Sequence, residues 1–199
     1  MSKDYSLWGD EAARAADAGL VEPKWFRPKV DPKDIRALMV KSDWIAGRDV
    51  ALWIGLMVLF AGIGIALWPS WWSLPFWLAY GVLYGSGGDS RWHECGHNTA
   101  FKTAWMNSVV YHIACFMMIR PPVVWRASHV RHHTDTIIVG RDPEIVAMRP
   151  PDLVPLFVNL FGILDVCKGI ARMLLHASGR MNKEETHYVR PQDHWKVFL

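Results

Sequence analysis

Apolar and charged positions are distributed very unevenly along the chain. From Val50 to Gly88 run 39 consecutive residues without Asp, Glu, Lys or Arg, bounded by Asp49 and Asp89. A soluble core helix needs about a dozen such residues, whereas a bilayer span needs about 20. As helix, the run would reach roughly 58 Å, close to twice the roughly 30 Å hydrocarbon thickness. Its middle reads Trp68-Pro69-Ser70-Trp71-Trp72, where proline ends a helix and clustered tryptophans suit a membrane–water interface. The pattern predicts a transmembrane hairpin with spans over about 50–68 and 71–88. A buried hairpin in a large soluble protein is the alternative.

The flanks refine this picture. Lys33, Arg36, Lys41 and Arg48 precede the first span, Arg91 and Lys102 follow the second, and the turn has no basic residue. The positive-inside rule therefore puts both ends of the hairpin, and the N-terminus, on the cytoplasmic side. Residues 1–30 mix charges without an apolar run, which predicts a loose N-terminal tail and no cleaved signal peptide. Asp31-Pro32 with Asp34 is a helix start, and Ile35, Leu38, Met39, Ser42 and Ile45 share one face, as in an interfacial helix leading into the membrane. Ala104–Ile119 is apolar for only 16 residues, contains Asn107 and His112, and ends at Arg120-Pro121-Pro122; Leu153–Leu164 is shorter still. Both read as interfacial or re-entrant helices. The expected architecture is an all-α integral-membrane protein with one hairpin, interfacial helices and a cytosolic histidine-rich cap within residues 31–199.

Composition removes several classes. Of 199 residues, 51% are hydrophobic and 13% aromatic, which excludes disorder. Three cysteines, Cys95, Cys115 and Cys167, lack CxxC spacing and give neither a disulfide framework nor a thiolate zinc site. A net charge of +3 without a recognition motif gives no reason to expect nucleic acid as a partner.

Five of the nine histidines fall in two groups, His93-Glu94-Cys95-Gly96-His97 and His129-Val130-Arg131-His132-His133. Residues i, i+3 and i+4 share a helix face, so each group presents its imidazoles together. Two such faces can hold one or two transition metals, and imidazole alone does not distinguish zinc, copper, iron and nickel. Sharing a metal requires both groups on one side of the membrane, which agrees with a non-crossing Ala104–Ile119.

Three readings compete. His93-Glu94-x-x-His97 fits the HExxH zinc-protease pattern, with a distant residue such as Glu144 as third ligand, but leaves the second group unused. A ferritin-like di-metal bundle would pair Glu94-x-x-His97 with Glu184-x-x-His187, though Met181–Arg190 has no apolar face to enter a bundle. The third reading uses both groups. Trp92–Asn98 after a span, then Arg131-His132-His133-Thr134-Asp135-Thr136, resembles the integral-membrane fatty acid desaturase superfamily over roughly Val50–Pro150. That resemblance implies two iron ions held by His93, His97, His129, His132 and His133, with O2 as co-substrate. It also implies a lipid acyl substrate and electrons from a ferredoxin, rubredoxin or cytochrome b5 type of carrier. The reaction implied is acyl-chain desaturation, with a related lipid, alkane or carotenoid hydroxylation as the alternative.

One departure stands out. The superfamily carries a third box, usually HxxHH, whereas His176, His187 and His194 are isolated here and the sequence stops at an apolar onset. The expectation is an N-terminal portion that binds metal weakly and does not turn over alone, or a non-catalytic metal-binding fragment. Asp89, Asp135 and Asp142 are candidate acceptors for the ligands' ring N–H groups. His112 reads as a satisfied buried histidine, Cys95 as small filler. Arg120, Arg126, Arg131, Arg141 and Arg149 make a basic face for anionic headgroups or for an acidic electron carrier.

Overall fold

The computed structural model describes residues 3–21, 26, 28–145 and 148–198, and among these the secondary structure is helical, with no strand. Contacts divide the chain into two units, residues 28–118 and a second unit joining residues up to 27 with 119–199.

The first unit contains α2 (Pro32–Leu38), α3 (Asp43–Ala66), α4 (Leu74–Gly96) and α5 (Ala104–Met117). The expected interfacial helix stops at Leu38, and Ile45 belongs to α3 instead. Ser42 is the reason, since its hydroxyl caps α3 by accepting from the Ile45 N–H. Among the described residues, α3 is the helix long and apolar enough to cross a membrane. It is joined to α4 through a short 3-10 turn, Trp71–Ser73, with Trp68, Trp71 and Trp72 exposed.

α3 and α4 pack side by side. A Cβ on Gly87 would fall 2.0 Å from the Trp53 indole nitrogen, and one on Gly64 would fall 2.9 Å from the Trp77 ring. The Trp53 indole cannot swing away without losing the bond its N–H donates to the Leu83 carbonyl, at 2.8 Å. Glycine is thus required where the helix surfaces meet an indole edge. α4 does not end where the charge-free run ends. Charged residues do not break a helix, and Arg91 pairs with Glu94 one turn on at 2.9 Å. The helix continues to Gly96 and carries the first histidine group on its last turns. α5 packs on α4, and at 14 residues, about 21 Å, it is shorter than the hydrocarbon layer.

The second unit contains α1 (Asp10–Asp17), α6 (Pro122–Asp135), α7 (Leu153–Val158), α8 (Ile163–Ala177) and α9 (His194–Val197). Its core joins Val124, Val189 and Val197, with Met181 and Tyr188 packed against them. Within the segment expected to be a loose tail, Phe26 and residues 28–30 are exposed and without secondary structure, while residues 5–17 are held: α1 forms, Leu7 and Ala15 are buried, and the Tyr5 hydroxyl accepts from the Arg149 N–H at 2.7 Å. That partner lies 144 positions away, beyond the reach of any local pattern. Residues 1, 2, 22–25 and 27 of that segment lie outside the described residues. Leu153–Leu164 is not one helix. Asn159 turns the chain, its side-chain oxygen accepting from the Leu164 and Asp165 N–H groups, and Gly162 takes a left-handed φ of 69°. Leu153, Phe157, Phe161 and Ile163 are exposed around this turn.

Candidate metal centre

The first histidine group is built by α4. His93 and His97 lie one turn apart, their ring centroids 5.0 Å from each other and ring nitrogens within 4.8 Å, and both rings are exposed. The opposite side of the same turns is anchored by Cys95, which is fully buried, and by Trp92, whose indole N–H donates to Asp89. Cys95 is the small filler expected of it.

The loop that follows is pinned on three sides. Lys41 donates to the Asn98 carbonyl at 2.6 Å, Asp43 accepts from the Thr103 N–H and hydroxyl, and buried Asn107 bonds both the N–H and the carbonyl of Phe101. Asn107 therefore satisfies backbone that would otherwise be buried without partners. His112 departs from expectation. It is exposed, and its Nδ1 lies 2.7 Å from the Ser108 carbonyl of its own helix.

The second group is built by α6, which starts with Pro122 at its first position, where proline's missing N–H costs nothing. The His129, His132 and His133 rings lie within 5.9 Å of one another, so the shared face is realised. The Nε2 atoms of His129 and His133 are 3.0 Å apart. His132 is turned differently, with Nδ1 at 2.9 Å from an Asp142 carboxylate oxygen.

Behind these rings stands a row of carboxylates. Glu144 accepts from His129 Nδ1 at 2.9 Å and from the Ser128 hydroxyl at 2.7 Å. Burial pushes the Glu144 carboxyl up, but the bonds from His129 and Ser128 outweigh it and hold the group below its ordinary value. Asp142, itself buried, also accepts from the Ile137 and Glu144 N–H groups, both at 2.8 Å, which fixes the loop that carries it. With Nδ1 protonated toward a carboxylate, the lone pair of His129 is at Nε2, the atom facing His133. Two imidazole nitrogens bound to one ion at roughly 2.1 Å and at a right angle would lie about 3.0 Å apart. The pair lies at that spacing, which an N–H···N bond between the two rings also gives, so these residues can accommodate a transition metal.

The other candidates divide. Of the three proposed acceptors, Asp142 bonds a histidine. Asp135 instead pairs with Arg131 at 2.9 Å and Arg141 at 3.2 Å, and Asp89 takes the Trp92 indole. Glu144, considered as a zinc ligand, is the partner of His129, a role the sequence reading did not give it. Its position 15 residues downstream carries no spacing rule, so only a carboxylate near the second group hinted at it. His176 is buried against Glu185 at 2.8 Å, His187 stacks on Trp8, and His194 meets the Val189 carbonyl.

The sequence pattern of the fatty acid desaturase family matches residues 66–191, more than half of the chain and both histidine groups. The chain belongs to the fatty acid desaturase family. Among curated relatives it is 28% identical over 135 residues to an sn-1 oleoyl-lipid 12-desaturase of Anabaena variabilis, covering 65% of this chain and 38% of the relative. It is 34% identical over 113 residues to a chloroplastic sn-2 acyl-lipid omega-3 desaturase (ferredoxin) of Helianthus annuus, covering 50% and 24%. An endoplasmic reticulum acyl-lipid omega-3 desaturase (cytochrome b5) of Arabidopsis thaliana is 31% identical over 137 residues, covering 62% and 34%. The chain thus spans between about a quarter and two-fifths of the length of these relatives. No solved structure matches it.

Proposed function

We propose that His93, His97, His129, His132 and His133 ligate a di-iron centre, and that the protein takes part in oxygen-dependent desaturation of a lipid acyl chain. The observation that carries this reading is the His129–His133 pair, 3.0 Å apart at Nε2 with a carboxylate behind the His129 ring. Membership of the desaturase family supports iron as the metal and desaturation as the reaction class. Bound iron would supply the dioxygen activation needed to take hydrogen from an unactivated C–H bond.

The chain's own residues have defined tasks in this reading. Glu144 and Asp142 hold ring N–H groups of His129 and His132, fixing their tautomers and raising their basicity as ligands. The α3–α4 hairpin spans the membrane, so that the first histidine group, at the end of α4, meets an acyl chain arriving from the bilayer. The metal ligands and both ends of the hairpin face the cytoplasm. A carrier of the ferredoxin, rubredoxin or cytochrome b5 type delivers electrons, in keeping with the two carriers named for the Helianthus and Arabidopsis relatives.

Metal analysis of the chain purified in detergent tests the reading. Iron is expected to be held only weakly by the wild type, five histidines being few for two ions, and to fall to background in His93→Ala and in His129→Ala. Zinc in place of iron, retained in His129→Ala, would sink the di-iron reading in favour of the HExxH one.

A further inference from the structure

The loop that carries Asp142 and Glu144 is itself held by residues far away in sequence. Gly140, with a left-handed φ of 79°, lies directly against α1. A Cβ there would sit 2.6 Å from the Ala12 nitrogen and 3.0 Å from the Glu11 carbonyl carbon. Both the backbone conformation and the space therefore demand glycine, and the contact is backbone against backbone. At the other end of the loop, the Arg149 N–H donates to the Tyr5 hydroxyl at 2.7 Å. Between these two points an open groove of about 450 Å³ is lined by Tyr5, Trp8, Asp142, Pro143 and Met148 among others. Trp8 extends the same grip, stacking on His187 at 5.8 Å with the Lys183 ammonium 4.4 Å from its ring centroid.

We propose that the segment Tyr5–Leu20 is a positioning strap for the second histidine group. It holds residues 137–145 at Gly140 and residues 148–149 at Arg149, and so sets where the Asp142 and Glu144 carboxylates meet the His132 and His129 rings. The chain of contacts is short: α1 to Gly140, two residues to Asp142, two more to Glu144. Asp142 ties the loop together by accepting the Ile137 and Glu144 N–H groups as well as His132. A loop released from α1 and Tyr5 keeps its carboxylates but no longer holds them in register with α6. The strap thus acts through Asp142 and Glu144 and touches no reacting atom. This inference rests on the reading of His129, His132 and His133 as metal ligands.

Co(II) titration of the full chain in detergent, followed by visible absorption, tests it with the metal alone. Gly140→Ala and Tyr5→Phe are compared with Asp142→Asn, His129→Ala and wild type, each with a thermal melt. Losing an outer-shell partner costs about 10–100-fold in metal affinity. Gly140→Ala is expected to weaken Co(II) by about tenfold and to move the absorption band toward that of Asp142→Asn, while Tyr5→Phe moves both the same way by less. If Gly140→Ala loses its helical content, Tyr5→Phe decides alone, because it removes one acceptor and keeps the ring. Wild-type affinity and band shape in the strap variants, with or without a lowered melting temperature, would overturn the proposal. Co(II) binding unchanged in His129→Ala would instead overturn the metal reading beneath it.

Discussion

Glu144 does at residue scale what the histidine spacing alone cannot. Imidazoles at i, i+3 and i+4 guarantee a common face, but not which ring nitrogen offers its lone pair; a carboxylate at Nδ1 decides that for His129. Glu144→Ala is expected to lower metal affinity by about 10–100-fold while leaving α6 intact by circular dichroism. Tyr188 reports on stability in the same unit. Burial raises its phenol well above the ordinary 10, and the Glu185 charge adds to this. Below that value the folded and unfolded chains both keep the proton; above it only the unfolded chain loses it, so alkali favours unfolding. The melting temperature should fall more steeply between about pH 9 and pH 11 in wild type than in Tyr188→Phe. Equal slopes would mean the phenol is not buried. Glu144 and Tyr188 were not legible as such, because each takes its role from a partner brought in by the fold.

Helices were more legible, since periodicity and length are local properties. The charge-free run announced two helices with a tryptophan turn, and both are present. Charge does not set their limits: α3 starts at its Ser42 cap, and α4 runs on to Gly96. The histidine faces were read from spacing alone and are realised on α4 and α6. What spacing could not foresee is how α3 and α4 fit. Gly64 and Gly87 look like weak points in a helix, yet each admits an indole. Gly87→Ala should destabilise the hairpin by about 1–3 kcal/mol in detergent-denaturant titration, as overpacking does. In Trp53→Ala the same glycine change should cost nearly nothing, a coupling that a double-mutant cycle reads directly. Additive effects would show that the two residues do not meet.

The whole molecule has two units, one holding the first histidine group and one the second. Proposed topology gives a test at this scale. In a Cys167→Ser background, Ser70→Cys marks the hairpin turn and Ser178→Cys the end of α8. A membrane-impermeant maleimide should label the first only from the side opposite the cytoplasm and the second only from the cytoplasmic side. Labelling of both from one side would mean the hairpin does not cross. The bond between Tyr5 and Arg149 was not legible in the amino-terminal segment, because no window along the chain contains both residues. The same bond sets a schedule for synthesis. A ribosome adding roughly 5–20 residues per second releases Tyr5 well before Arg149, 144 positions later, an interval of about 7–30 seconds. The amino-terminal segment therefore has to wait for its partner while the whole hairpin is made, and the unit bearing the second histidine group cannot close before Arg149 emerges.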